Sequence, residues 1–147
     1  MTIAVPVPTA SATSVVLLKI LMRVRWGSDP VYRWFDQSRE DPFAAGASAA
    51  LFIGDVALKP DLHASMPVRL DLGLEWWEET GLPFAFAIWQ VSTSGNEEAL
   101  RRLHSILIDS RGYGHAERPD LARRYAALFS MTPADLEGYW NDLSYDL

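Results

Sequence analysis

The chain of 147 residues contains no cysteine, which excludes disulfides, thiolate nucleophiles and cysteine-bound zinc or iron–sulfur centres. Histidine is scarce too: His63, His104 and His115 are spaced too widely for a short metal-ligand motif. Positive charge is in the minority, with 13 Lys and Arg against 19 Asp and Glu giving a net charge of −6. That balance argues against phosphate backbones and anionic membrane surfaces, which attract clustered cations. Arg23, Arg25, Arg101, Arg102, Arg123 and Arg124 form short basic pairs, but acids are interspersed around them and they read as solvated helix faces. No apolar run approaches the length of a bilayer span, and the first residues have neither a basic region nor a small-residue cleavage site, so the expected location is the cytoplasm. There is no Gly-X-Ser-X-Gly motif and no phosphate loop with its glycines and lysine.

What is present is a core-forming composition, 49% hydrophobic and 22% charged, in the range of one globular domain. An apolar run at 2–7, closed by Pro6 and Pro8, predicts a strand. It opens into the hydroxyl-rich loop 9–14, and apolar positions 15, 18, 21 and 22 then predict a helix over 15–25 with Ser11 or Thr13 as N-cap. A second strand is expected at 31–35, an Ala-rich helix at 41–50, and a buried parallel strand at 49–53. Residues 60–66, with His63 among them, read as surface loop. Strands are expected at 68–72 and 83–91, flanking a short helix at 73–80 that Gly81 ends. After the junction at 92–95 the chain reads as helical, over 96–108, 118–129 and 133–143, with Asn96 and Thr132 as caps. The stripe Leu100, Leu103 and Leu107 needs something to cover it. Strands alternating with helices followed by helices alone give an α/β fold with a mostly parallel sheet and an all-helical last third.

Three places offer chemistry. Thr9, Ser11, Ala12, Thr13 and Ser14 combine hydroxyls, backbone N–H groups and the positive end of a helix dipole, which suits a carboxylate or phosphate. The plainer reading is that Ser and Thr are common caps. Gly54-Asp55 stops a buried strand at the edge where open parallel sheets bind ligands. Asp55 is there a general base, an acceptor for a substrate hydroxyl, or the cap of a short turn through Val56, Ala57 and Leu58. Glu75, Glu78 and Glu79 surround Trp76 and Trp77; acid–base work by paired carboxylates is one reading, and dipole compensation with the tryptophans docking the helix is the stronger one. Phe84, Phe86 and Trp89 read as core first and as an aromatic substrate wall second, with Phe84 nearest a site.

Four segments in order, 8–14, 51–58, 71–76 and 80–89, resemble the menaquinone biosynthesis family of the futalosine pathway. Within it they are most similar to the chorismate dehydratase type. The branch that cleaves a cyclic futalosine typically carries Ile-His-Glu where this chain has Ile53-Gly54-Asp55, and the chain departs from the family in having Val56 where Glu is common. The resemblance implies a lobe like those of periplasmic solute-binding proteins, with a mixed, mostly parallel sheet, followed by C-terminal helices from a partner lobe. Residues 1–91 are then the second α/β lobe of a two-lobed cleft enzyme, and 92–147 a helical segment returning to an incomplete first lobe. Both ends look truncated against that pattern, so the isolated chain is expected to be poorly active or inactive.

The implied reaction is dehydration of chorismate to 3-[(1-carboxyvinyl)oxy]benzoate, a carbon–oxygen lyase step without cofactor or metal. Asp55 is the implied catalytic residue, and Thr9, Ser11, Ala12, Thr13, Ser14, Gly54 and Phe84 are the implied substrate contacts. The partner is a chorismate-like dicarboxylate, not nucleic acid or membrane, and an exposed lobe interface offers a surface for self-association. Two other readings stand beside it: a non-catalytic small-anion binding module of the solute-binding fold, and a structural fragment whose helical stripe promotes association.

Overall fold

In the computed structural model, residues 4–44, 46–59, 66–92 and 96–144 are described. The expectations at 60–65, including His63, and most of the junction at 92–95 lie outside them. The chain divides into two compact units, Met1–Ala85 and Phe86–Leu147.

The first unit is built on two strands, β1 (Ala4–Pro8) and β2 (Val31–Phe35), paired in parallel with Ala4 opposite Val31 and Pro8 opposite Phe35. Helix α1 (Ala12–Val24) connects them, so the crossover expected from the strand–helix–strand pattern is present. Its apolar spacing sets its packing: Val15, Leu17, Leu18 and Leu21 are buried, and Val15 and Leu18 join Val5, Val7 and Leu51 in one core cluster. Met22, Tyr32, Ile53 and Leu72 pack around that cluster. The Lys19 ammonium lies 5.0 Å from the centre of the Tyr32 ring. Burial pushes the Tyr32 phenol above its ordinary pKa, and the Asp29 charge pushes it further.

Two expectations in this unit change. No helix forms among the described residues of 41–50. The Asp41 carboxylate accepts from the Phe43 N–H at 2.8 Å, and Gly46 turns the chain with φ +79°. Asx-type bonding competes with the helix there, and the left-handed glycine ends any attempt to propagate one.

Segment 49–53 is buried at Leu51, as a core strand would be, but it is not a strand. Leu51 N–H donates to the Pro6 carbonyl at 3.0 Å, placing the segment beside β1 on the side away from β2. Along a strand, residues of the same parity present their N–H and C=O to the same edge. Pro6 and Pro8 therefore face this segment together and have no N–H to return. The ladder stops at a single bond.

Helix α2 (Gly54–Ala57) is one turn long, and α3 (Leu72–Thr80) is capped by the Asp71 carboxylate, which accepts from Gly73 and Leu74 N–H. Gly81, at φ +69°, closes α3 as expected. The strand expected at 68–72 is absent: Val68 and Leu70 are 72% and 55% exposed, with no partner strand among the described residues.

The strand expected at 83–91, which runs from the end of the first unit into the second, is likewise absent, and Phe86, Ile88, Trp89 and Val91 are all more than half exposed. Helices follow: α4 (Glu97–Ala116), α5 (Arg118–Tyr125), a short 3₁₀ turn (Ala126–Phe129) and α6 (Pro133–Asn141). Asn96 and Thr132 cap α4 and α6 with their side-chain oxygens, as expected. Helix α4 runs eight residues beyond its expected end at Ile108. Helix α5 packs on α6, and Ala122 on α5, Ala126 in the 3₁₀ turn and Leu136 on α6 are buried. No helix of the described residues is long and apolar enough to cross a membrane.

Candidate functional site

The carboxyl ends of β1, β2 and segment 51–53 lie at one edge of the sheet. Leu51 is bonded opposite Pro6, and two residues later Ile53 is bonded by Gln37, two residues beyond the end of β2. The segment therefore advances in the same direction as the strands. That direction delivers Gly54-Asp55 to the edge where β1 hands over to α1, the position at which open parallel sheets hold their ligands.

At the start of α1 the hydroxyl residues divide their work. Ser11 is the N-cap: its Oγ accepts from the Ser14 N–H at 3.2 Å, and its hydroxyl donates to Ser14 Oγ at 3.0 Å. Ser11 and Ser14 are thus half-buried and committed to each other. Thr9, Ala12 and Thr13 are exposed. The N–H groups of Ala12 and Thr13, in the first turn, have no intrahelical acceptor. The helix begins three residues before its expected start, so Thr13 and Ser14 belong to its first turn and not to a preceding loop.

Gly54 takes φ +58°, a conformation that any side chain would strain. This turn starts α2. Asp55 is exposed in it, and Ile53 occupies the N-cap position. The carboxylate of Asp55 is therefore not the cap of α2, which removes the plainest reading of this residue.

The support for that turn is a residue that sequence reasoning passed over. The Gln37 side-chain amide donates to the Ile53 carbonyl at 3.1 Å and accepts from the Ile53 N–H at 3.0 Å. It replaces the two ladder bonds that a neighbouring strand would make. The available signal was its position directly beyond a strand's carboxyl end. Gln37→Leu leaves both Ile53 groups without their acceptor and donor in a part-buried setting, at a cost of about 1–3 kcal/mol. The check is the urea midpoint: a midpoint unchanged in Gln37→Leu would contradict the bracket.

Phe84 is placed elsewhere. Its ring meets Trp76 edge-on at 6.4 Å, beside Glu75. Glu75 is paired to Arg25, just past the end of α1 remote from Ser11, and the 13-residue helix between them is about 20 Å long.

The acidic helix α3 also differs from expectation. Arg25 is not on a solvated face: its guanidinium reaches Glu75 at 2.6 Å, Glu78 at 2.5 Å and Glu79 at 3.8 Å. Glu75 is buried. The three carboxylates are thus gathered on one cation that joins α1 to α3, and their role here is cohesion. Arg23, Arg101 and Arg123 match the solvated reading, each in an exposed pair with Asp29, Glu97 and Asp120 respectively.

A family model described as menaquinone biosynthesis matches residues 2–147. The chain belongs to this family. The resemblance carried by 8–14, 51–58, 71–76 and 80–89 is borne out at that level. Chorismate dehydratase of Thermus thermophilus is 29% identical over 153 aligned positions, covering 93% of this chain and 55% of that protein. The chain spans about half the length of this curated relative.

Proposed function

We propose that this chain supplies one wall of a chorismate dehydratase site, in an enzyme of menaquinone biosynthesis working in the cytoplasm. The observation that carries the reading is the 29% identity with a chorismate dehydratase over an alignment covering 93% of the chain. The sheet edge supports it chemically. Chorismate carries two carboxylates and a ring hydroxyl. Losing that hydroxyl together with a ring proton as water leaves an aromatic ring, so the reaction is downhill once the substrate is held and oriented.

A carboxylate fits the Ala12 and Thr13 N–H groups and the Thr13 hydroxyl at the positive end of α1. Ser11 and Ser14 hold that turn in shape, and Thr9 borders it. Asp55, exposed at the same edge on the Gly54 turn, is the group offered to the ring hydroxyl side. In this reading residues 1–91 form one lobe of a two-lobed hydro-lyase of the solute-binding type, and 92–147 return toward the other. A single wall excludes little water, so weak binding and little turnover are expected of the chain by itself.

The test is a titration of the chain with chorismate followed by amide NMR. The signals of Ala12, Thr13, Gly54 and Asp55 are expected to move together, and Thr13→Val to weaken binding about tenfold, or about 1.4 kcal/mol. Shifts confined to other amides, or an unchanged affinity in Thr13→Val, would remove this edge from the substrate site.

A further inference from the structure

The 20 residues of α4 include none that is buried. Along it Ala99, Leu103, Ile106, Ser110 and Tyr113 are all exposed, with Leu103 at 39%, Ile106 at 54% and Tyr113 at 66%. Their spacing alternates four and three residues, the repeat of a coiled-coil seam, and it continues for two heptads. Leu100 and Leu107, half-buried, widen the seam on one flank; Arg102 and Asp109, exposed, border it on the other.

We infer that α4 pairs with α4 of a second copy of this chain, antiparallel, through this seam. The order of side chains selects that occupant. In an antiparallel pair Leu103 lies in one layer with Ile106 of the second copy, and Ala99 in the next with its Ser110, so large meets large and small meets small. Arg102 then stands beside Asp109 of the second copy, twice over by symmetry. In a parallel pair, where each core residue meets its own copy, Arg102 would instead face Leu107 and Asp109 would face Gly114, so neither would meet an opposite charge. Self-complementarity of this kind is the property of a two-fold interface. Gly112 and Gly114, with no atom within 4 Å of an added Cβ, leave the end of the seam unobstructed. Two heptads are short, so the association is expected in the micromolar range and to be concentration-dependent.

Sedimentation velocity of the full chain across that range tests it. The expected result is a monomer–dimer equilibrium that Ile106→Glu shifts at least about tenfold toward monomer, with the circular dichroism unchanged because the residue is exposed. Arg102→Asp alone is expected to weaken the dimer by setting two acids together, and Arg102→Asp with Asp109→Arg to restore it. A monomer at every concentration overturns the proposal, as does a dimer indifferent to Ile106→Glu, which would use another surface. Failure of the double exchange to restore pairing overturns the antiparallel arrangement.

Discussion

Leu21→Ala is expected to lower the stability of the sheet-bearing unit by about 3–5 kcal/mol, the cost of removing a fully enclosed leucine and leaving its cavity. Leu21 is 0% exposed and, with Leu136, is one of the two largest fully buried side chains among the described residues. It sits in the last turn of α1, and a close-packed interior leaves its neighbours little room to close the gap. Small domains have about 5–15 kcal/mol in total, so this single change removes a large share of it. The measurement is urea unfolding followed by tryptophan fluorescence, since Trp26, Trp34, Trp76 and Trp77 all lie in this unit. Ile20→Ala is the control: the neighbouring residue is 42% exposed, and its loss is expected to cost under about 1 kcal/mol. Equal losses from the two would mean that α1 does not pack through the face carrying Leu21.

The second large effect is at Arg25. Arg25→Met is expected to cost about 2–3 kcal/mol, because it leaves Glu75 charged, buried and without its cation. Full burial of both partners would put the figure higher, but the Arg25 side chain is 28% exposed and water screens part of the loss. The three carboxylates are not equivalent. Glu75 is 11% exposed and Glu78 is 47% exposed, so Glu78→Gln is expected to change stability by under about 0.5 kcal/mol. Urea midpoints of the two variants decide the matter, and a Glu78 effect as large as that of Arg25 would mean that the cluster works by total charge and not through its buried member.

The parts of this fold legible in the sequence are those fixed by local chemistry. Proline closure of an apolar run gave β1, the Ser11 cap and helical spacing gave α1, and Asn96, Thr132 and Gly81 marked helix ends that the structure keeps. Residues 109–116 were lost to the opposite effect. Gly112 and Gly114 have poor helix propensity, yet each costs only about 1 kcal/mol and the helix continues through them. The misread strands share one cause. Apolar runs at 49–53 and 68–72 and the alternation at 83–91 report which side chains want cover, whereas a strand requires a neighbour that supplies hydrogen bonds. Placement at the candidate site was legible where it followed from position at a strand end, as with the Ser11 cap and the turn that carries Asp55. It was not legible where the contact spans the sequence, as with Arg25 and Glu78, 53 residues apart, or Gln37 and Ile53, 16 apart.

The two prolines of β1 have a consequence for how this protein behaves in a crowded solution. A strand with an open flank is a template on which foreign chains can add and aggregation can start. Should the single bond between Leu51 and Pro6 open, the flank it uncovers offers carbonyls but, at Pro6 and Pro8, no hydrogens. An invading strand could donate there and receive nothing back at either position, so the exposed flank makes a poor seed.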